Sequence, residues 1–74
     1  MVSAKLDAMG LKCPLPVLRA RKAMKPLASG DVLEVLTTDP DSLRDFKNFC
    51  ETTGARLLSA EEKDGVFRFK IEKA

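Results

Sequence analysis

The sequence predicts an α/β fold: a two-layer βαβαββ sandwich in which two helices pack on one face of a four-stranded mixed sheet. Three observations lead there. Apolar periodicity alternates between strand-like and helical segments in the order strand, helix, strand, helix, strand, strand. The run "DVLEVLT" at residues 31–37 is nearly continuous in Val and Leu, as a central strand covered by other elements requires. Near the end, Asp64-Gly65 stands between "ARLLSAEEK" and "VFRFKIEK", a strong signal for a two-residue hairpin turn. A chain of 74 residues is enough for one domain, 1–74, and no repeat or linker interrupts it.

Each element has its own justification. Residues 4–9 read as a short strand with Leu6 and Ala8 on one side, and Gly10 permits a sharp exit. From Pro14 to about Lys25 the pattern is helical. Val17, Ala20, Met24 and Leu27 recur at three- and four-residue steps, while Arg19, Lys22 and Lys25 fall on other faces. Pro26 cannot continue a helix without losing a backbone bond, so the helix ends or kinks there. After the central strand, Asp39 is placed to N-cap a second helix, with Pro40 at its first position and Asp41 in its first turn. Leu43, Phe46, Phe49 and Cys50 form that helix's apolar stripe, and Gly54 supplies its stop.

Counting outward from Asp64-Gly65 pairs Glu62 with Phe67, Ala60 with Phe69 and Leu58 with Ile71. Glu61 against Arg68 and Ser59 against Lys70 fall on the opposite face, so one side of the sheet is covered and the other wet. The first two strands, joined through a helix, are expected to be parallel with a right-handed crossover, and both helices to lie on the apolar face.

Composition narrows the function classes. At 45% apolar and 32% charged, the chain reads as a soluble globular domain. Its apolar runs are far too short to span a membrane, and "MVSAKLDA" lacks a signal-peptide core. Two cysteines, Cys13 and Cys50, do not make a disulfide framework, which points to a reducing compartment such as the cytoplasm. The net charge of +2 is unevenly spread. Residues 1–30 carry six Lys/Arg against Asp7 alone, and residues 31–74 carry seven basic residues against ten acidic ones. The basic half presents either a cationic docking surface or an ordinary solvated helix face.

The most unusual stretch is "GLKCPLP", residues 10–16, where a cysteine precedes two prolines at a strand-to-helix junction. If Cys13 is the N-cap, Pro14 and Pro16 occupy the first and third helical positions, where a missing N–H costs nothing. Pro14 also biases Cys13 toward extended backbone. The sulfur is then expected to accept a hydrogen bond from the Leu15 N–H, and the helix N-terminus with Lys12 to lower the thiol's pKa. With no histidine in the chain, a Cys–His catalytic pair is excluded, and zinc has no adequate ligand set. Without a Cys-x-x-Cys, a thioredoxin-like redox pair is not supported either. Two readings of Cys13 remain open at this point: a single activated thiol, or a small buried hydrophobe.

"LDAMGLKCPLPVLRARKAM", residues 6–24, resembles the signature of the TusA-type (SirA-like) sulfur-carrier family, with its Cys-Pro-x-Pro motif at the start of the first helix. The resemblance continues through "SGDVLEVLTTDPDSLRDFKNFCETTGARLL" to the terminal hairpin. It implies the same βαβαββ sandwich. It also implies that Cys13 accepts a sulfane sulfur from a donor protein, a cysteine desulfurase or a rhodanese-type protein, and holds it as a transient persulfide for an acceptor protein. Family destinations include tRNA thiolation, molybdenum-cofactor biosynthesis and the oxidation of reduced sulfur compounds. No resident cofactor or metal is implied, and the sulfurtransferase half-reactions need both partners.

On this reading Gly10, Pro14 and Pro16 are scaffold, and Lys12, Leu15, Arg19, Arg21, Lys22 and Lys25 stabilise the thiolate or form a docking face for acidic partners. Leu11 presents an apolar edge or packs inward, Cys50 is a buried structural thiol, and Asp39-Pro40 needs no role beyond capping. The alternative is a small nucleic-acid-binding or regulatory module with a basic first helix. The absence of Tyr and Trp, and the placement of Phe on apolar faces, count against base stacking, and neither nucleic acid nor membrane is an expected partner.

Overall fold

In the computed structural model, which describes residues 2–74, each switch of periodicity becomes an element. They run β1 (Ala4–Ala8), α1 (Leu15–Met24), β2 (Val32–Thr37), α2 (Ser42–Thr53), β3 (Arg56–Lys63) and β4 (Val66–Glu72). The sheet order is β1-β2-β4-β3, with β1 parallel to β2 and β4 antiparallel to both neighbours. α1 packs over β1 and β2, α2 over β3 and β4, and the helices touch each other. This is the predicted mixed sheet with both helices on one face.

The core lies between the layers. Ala20 and Met24 of α1 and Phe46, Phe49 and Cys50 of α2 meet Ala8, Leu33, Val35, Phe69 and Ile71 of the sheet. Phe46 is its centre: its ring lies 4.8 Å from that of Phe69 and 6.2 Å, edge-on, from that of Phe49. Full burial of such a side chain stabilises the fold by about 1.5–3 kcal/mol. Leu43 departs from the predicted stripe and is exposed. Its expected place at the start of α2 is taken by Ser42, whose buried hydroxyl accepts a hydrogen bond from the buried Thr37 hydroxyl at 2.7 Å. That contact fastens the start of α2 to the end of β2.

The hairpin turn forms at Asp64-Gly65 with φ of 53° and 81°, the left-handed pair that a type I′ turn demands. The pairs Glu62–Phe67, Glu61–Arg68, Ala60–Phe69 and Ser59–Lys70 are as counted. Leu58 does not pair with Ile71; Leu57 does, because a bulge between Leu57 and Ser59 inserts one extra residue. The shift puts Leu57 against the core and leaves Leu58 exposed.

α1 ends at Met24 with Lys25 as its cap, one residue before Pro26. The carbonyls freed there are satisfied from across the molecule. Lys73 Nζ donates to the carbonyls of Met24, Lys25 and Leu27 at 2.9, 3.3 and 2.6 Å. A cation at a helix C-terminus also complements its dipole.

Candidate functional site

The parallel pairing of β1 and β2 brings their carboxyl ends, and the loops that follow them, to the same edge of the sheet. Cys13 lies in the first of these loops. A groove of about 500 Å³ runs between Gly10–Cys13 on one side and Thr38–Asp41 on the other. The thiol is exposed, so the buried-hydrophobe reading of Cys13 is excluded. Cys50, by contrast, is buried in the core, and burial pushes its thiol pKa up.

The two loops are stitched together by adjacent side chains of the second. Thr38 Oγ1 accepts from the Gly10 N–H at 2.9 Å, and Asp39 Oδ2 accepts from the Cys13 N–H at 2.6 Å. The other carboxylate oxygen, Asp39 Oδ1, accepts from the Asp41 N–H at 3.0 Å. Gly10 turns the chain out of β1 with φ of 81°, a backbone state open to glycine.

Two expectations about helix starts are corrected here. α1 begins at Leu15 with Pro14 as its N-cap, so Cys13 lies one residue outside the helix and Pro16 sits buried in the first turn. The Leu15 N–H donates to the Lys12 carbonyl at 2.9 Å and not to sulfur. A tight turn over residues 12–15 thus takes the donor that the sulfur was expected to use. Likewise α2 is N-capped by Asp41, not Asp39. Asp39 stands two residues earlier, and its carboxylate reaches 26 positions back along the chain to Cys13.

The electrostatics are also the reverse of those expected. The Cys13 thiol pKa is raised above its ordinary value, first because the Asp45 carboxylate accepts a hydrogen bond from the thiol, then through desolvation and the negative charges of Asp45, Asp39 and Asp41. Lys12 adjoins the cysteine in sequence, yet the groups that face the sulfur come from the β2–α2 loop and the first turn of α2. Asp39 itself is held below the usual carboxylate range, chiefly by the hydrogen bonds from the Asp41 and Cys13 N–H groups.

The remaining predicted residues divide along α1. Lys12 lines the groove beside Cys13, and Leu11, partly buried, both lines it and packs against the core. Leu15 is exposed in the first turn, as is Leu18 one turn on. Arg19 and Lys22 are exposed farther along. Arg21 stacks over the Phe49 ring at 5.7 Å, and with Lys25 it lines a separate cavity at the other end of the helices. The basic residues therefore do not converge on the thiol. Thr38, Asp39 and Asp45 were the residues that sequence reading missed. The only signal for them was the run of acids after β2, which local rules explain completely as helix capping.

Comparison with known proteins agrees with this geometry. The family model described as sulfurtransferase TusA matches residues 4–73. The sulfur carrier protein TusA of Allochromatium vinosum is 49% identical over 70 residues, covering 95% of this chain and 92% of that protein. A protein of Neisseria meningitidis serogroup A is 53% identical over 72 residues, covering 97% of each chain. The crystal structure of a SirA-like protein from Desulfitobacterium hafniense superposes with a TM-score of 0.82 at 35% identity, covering 93% of this chain and 95% of that one. The chain belongs to the TusA family of sulfur carriers.

Proposed function

We propose that this protein accepts a sulfane sulfur on Cys13, holds it as a persulfide, and passes it to an acceptor protein. The observation that carries the reading is the exposed thiol at the rim of an open groove, on a loop whose backbone is held at both ends. A carrier thiol must be reachable by two partners in turn, which an enclosed pocket would prevent.

In the loading step the Cys13 thiolate attacks the outer sulfur of a donor persulfide. The new bond is Cys13 S–S, the donor's S–S bond breaks, and the electron pair leaves on the donor sulfur as a thiolate. The Cys13 proton goes first to solvent. In the delivery step a nucleophile of the acceptor attacks the outer sulfur and Cys13 departs as a thiolate. Neither step changes the overall oxidation state, and the rates follow thiolate fraction and access. Each is a half-reaction, so turnover needs both partners and the cytoplasm is the fitting compartment.

The donor is a cysteine desulfurase or rhodanese-type protein, and the acceptor belongs to tRNA thiolation, cofactor biosynthesis or sulfur oxidation. Gly10, Pro14 and Pro16 act as scaffold. Lys12, Leu15, Arg19 and Lys22 form the docking face nearest the thiol, with Arg21 and Lys25 at its far end. No resident cofactor is needed beyond the transferred sulfur.

The test is intact-protein mass spectrometry after incubation with a cysteine desulfurase and cysteine, then with a rhodanese donor and with inorganic polysulfide. A reducible gain of one sulfur atom in wild type and Cys50→Ser, absent from Cys13→Ser, is expected. Wild-type protein that stays unmodified with all three donors would overturn the reading.

A further inference from the structure

We propose that Asp39 is a positioning residue for sulfur transfer, its carboxylate tying the backbone of Cys13 to the start of α2 so that the thiol is presented in one direction. This rests on the persulfide reading above for its kinetic consequence, but not for its geometry.

The bonds are specific to an aspartate. Both partners of the Asp39 carboxylate are backbone N–H donors, from Cys13 at 2.6 Å and from Asp41 at 3.0 Å. Only a side chain with an acceptor at each of two terminal positions serves both. Asparagine has the same shape but offers an NH2 to one of the donors, and serine offers a single oxygen. Charge assistance strengthens both bonds. The neighbouring Thr38 completes the arrangement, its hydroxyl accepting from the Gly10 N–H at 2.9 Å. Two consecutive side chains thus hold the first and last residues of the segment Gly10–Cys13.

Leu11 packs against the core, and the other backbone hydrogen bonds at the segment are short-range turns, Leu11 N–H to the Ala8 carbonyl at 3.3 Å and Leu15 N–H to the Lys12 carbonyl at 2.9 Å. α2, by contrast, is anchored to the sheet through Phe46 in the core and through the buried Thr37–Ser42 contact. Asp39 transmits that rigidity to the cysteine. A sulfur that two different proteins must attack in line benefits from one fixed orientation, and an ångström-scale misplacement of reacting atoms costs up to about a hundredfold in rate.

The experiment pairs an NMR titration of the full-length wild type with transfer kinetics of Asp39→Asn, Asp39→Ala and Thr38→Val. In wild type the Cys13 and Asp41 amide resonances should move together, with a single midpoint below the usual aspartate value, as the shared carboxylate protonates. In the folded variants, sulfur loading from a persulfidated rhodanese-type donor at saturation, measured above the thiol's midpoint so that loss of the Asp39 charge leaves the thiolate fraction unchanged, should fall about 10- to 100-fold for the Asp39 substitutions. The donor concentration at half-saturation should be unchanged, and Thr38→Val should show a smaller fall. A Cys13 amide that ignores the carboxylate titration, or a folded Asp39→Asn that loads at the wild-type rate, would overturn the assignment. If Asp39→Ala does not fold, the wild-type titration and Thr38→Val still decide it. If wild type takes up no sulfur, the persulfide reading fails while the amide titration independently accepts or rejects the clamp.

Discussion

Replacing Asp45 with asparagine should make the Cys13 thiol more acidic, and the size of the effect on reactivity can be worked out in advance. Asp45 sits in the first turn of α2 with its side chain 17% exposed, and it acts on the thiol twice, as hydrogen-bond acceptor and as a charge. Both actions favour the protonated form. In wild type, therefore, alkylation by iodoacetamide should rise with pH through a midpoint above the ordinary cysteine value of about 8.5. Asp45→Asn removes the charge and weakens the acceptor, so its midpoint should fall. For each unit of fall, the thiolate fraction at neutral pH rises tenfold, while intrinsic nucleophilicity drops about threefold because the Brønsted slope is near 0.4–0.5. The variant should then react about threefold faster per unit at pH 7, and about threefold slower per unit on the alkaline plateau. The two rate profiles must cross. Asp41→Asn, which removes only a charge, should shift the midpoint less. A midpoint that stays put or rises in Asp45→Asn, or a larger shift from Asp41, would refute the assignment of Asp45 as the main influence on the thiol.

Two further outcomes follow from the packing. Lys73→Met should remove the three hydrogen bonds to the Met24, Lys25 and Leu27 carbonyls at and just beyond the end of α1. The partly solvated site puts the loss at about 1–2 kcal/mol. Thermal melts should show a fall in Tm of about 4–8 °C for each kcal/mol, and an unchanged Tm would show that solvent satisfies those carbonyls equally well. Titration of native protein with an aromatic disulfide reagent should consume one thiol rapidly, that of Cys13, with Cys50 reacting only on addition of denaturant. Comparable rates at both sulfurs would contradict the burial of Cys50.

The fold was legible wherever local pattern and global packing agree. The Val/Leu run of β2, the Asp64-Gly65 turn and the Phe46–Phe49–Cys50 stripe each follow from neighbours a few residues away, and each is found in place. The pairing count from the turn held as far as Ser59 and then failed by one residue. No glycine or proline marks the bulge, which arises because Leu57 gains core contact by the slip. The cysteine itself was legible from its prolines. Its surroundings were not, because they are set through space. Lys12 is adjacent along the chain, but the carboxylates that govern the sulfur lie 26 to 32 positions away and reach it only through the parallel pairing of β1 and β2. Asp39 was misjudged for the same reason: a carboxylate just ahead of a helix satisfies the rules for a local cap, and nothing local reveals that its second oxygen has a distant partner.

The bulge in β3 has a consequence for how copies of this protein meet one another. β3 is an outer strand of the sheet, and such strands present a row of unpaired N–H and C=O groups on which a second molecule could grow a continuous sheet. Here the repeat is broken between Leu57 and Ser59, so an incoming strand finds its hydrogen-bonding partners out of step after a few residues. Arg56, Glu61, Glu62 and Lys63, all exposed, add charges along the same edge that an approaching strand would have to desolvate. The irregularity thus works against edge-to-edge pairing at β3.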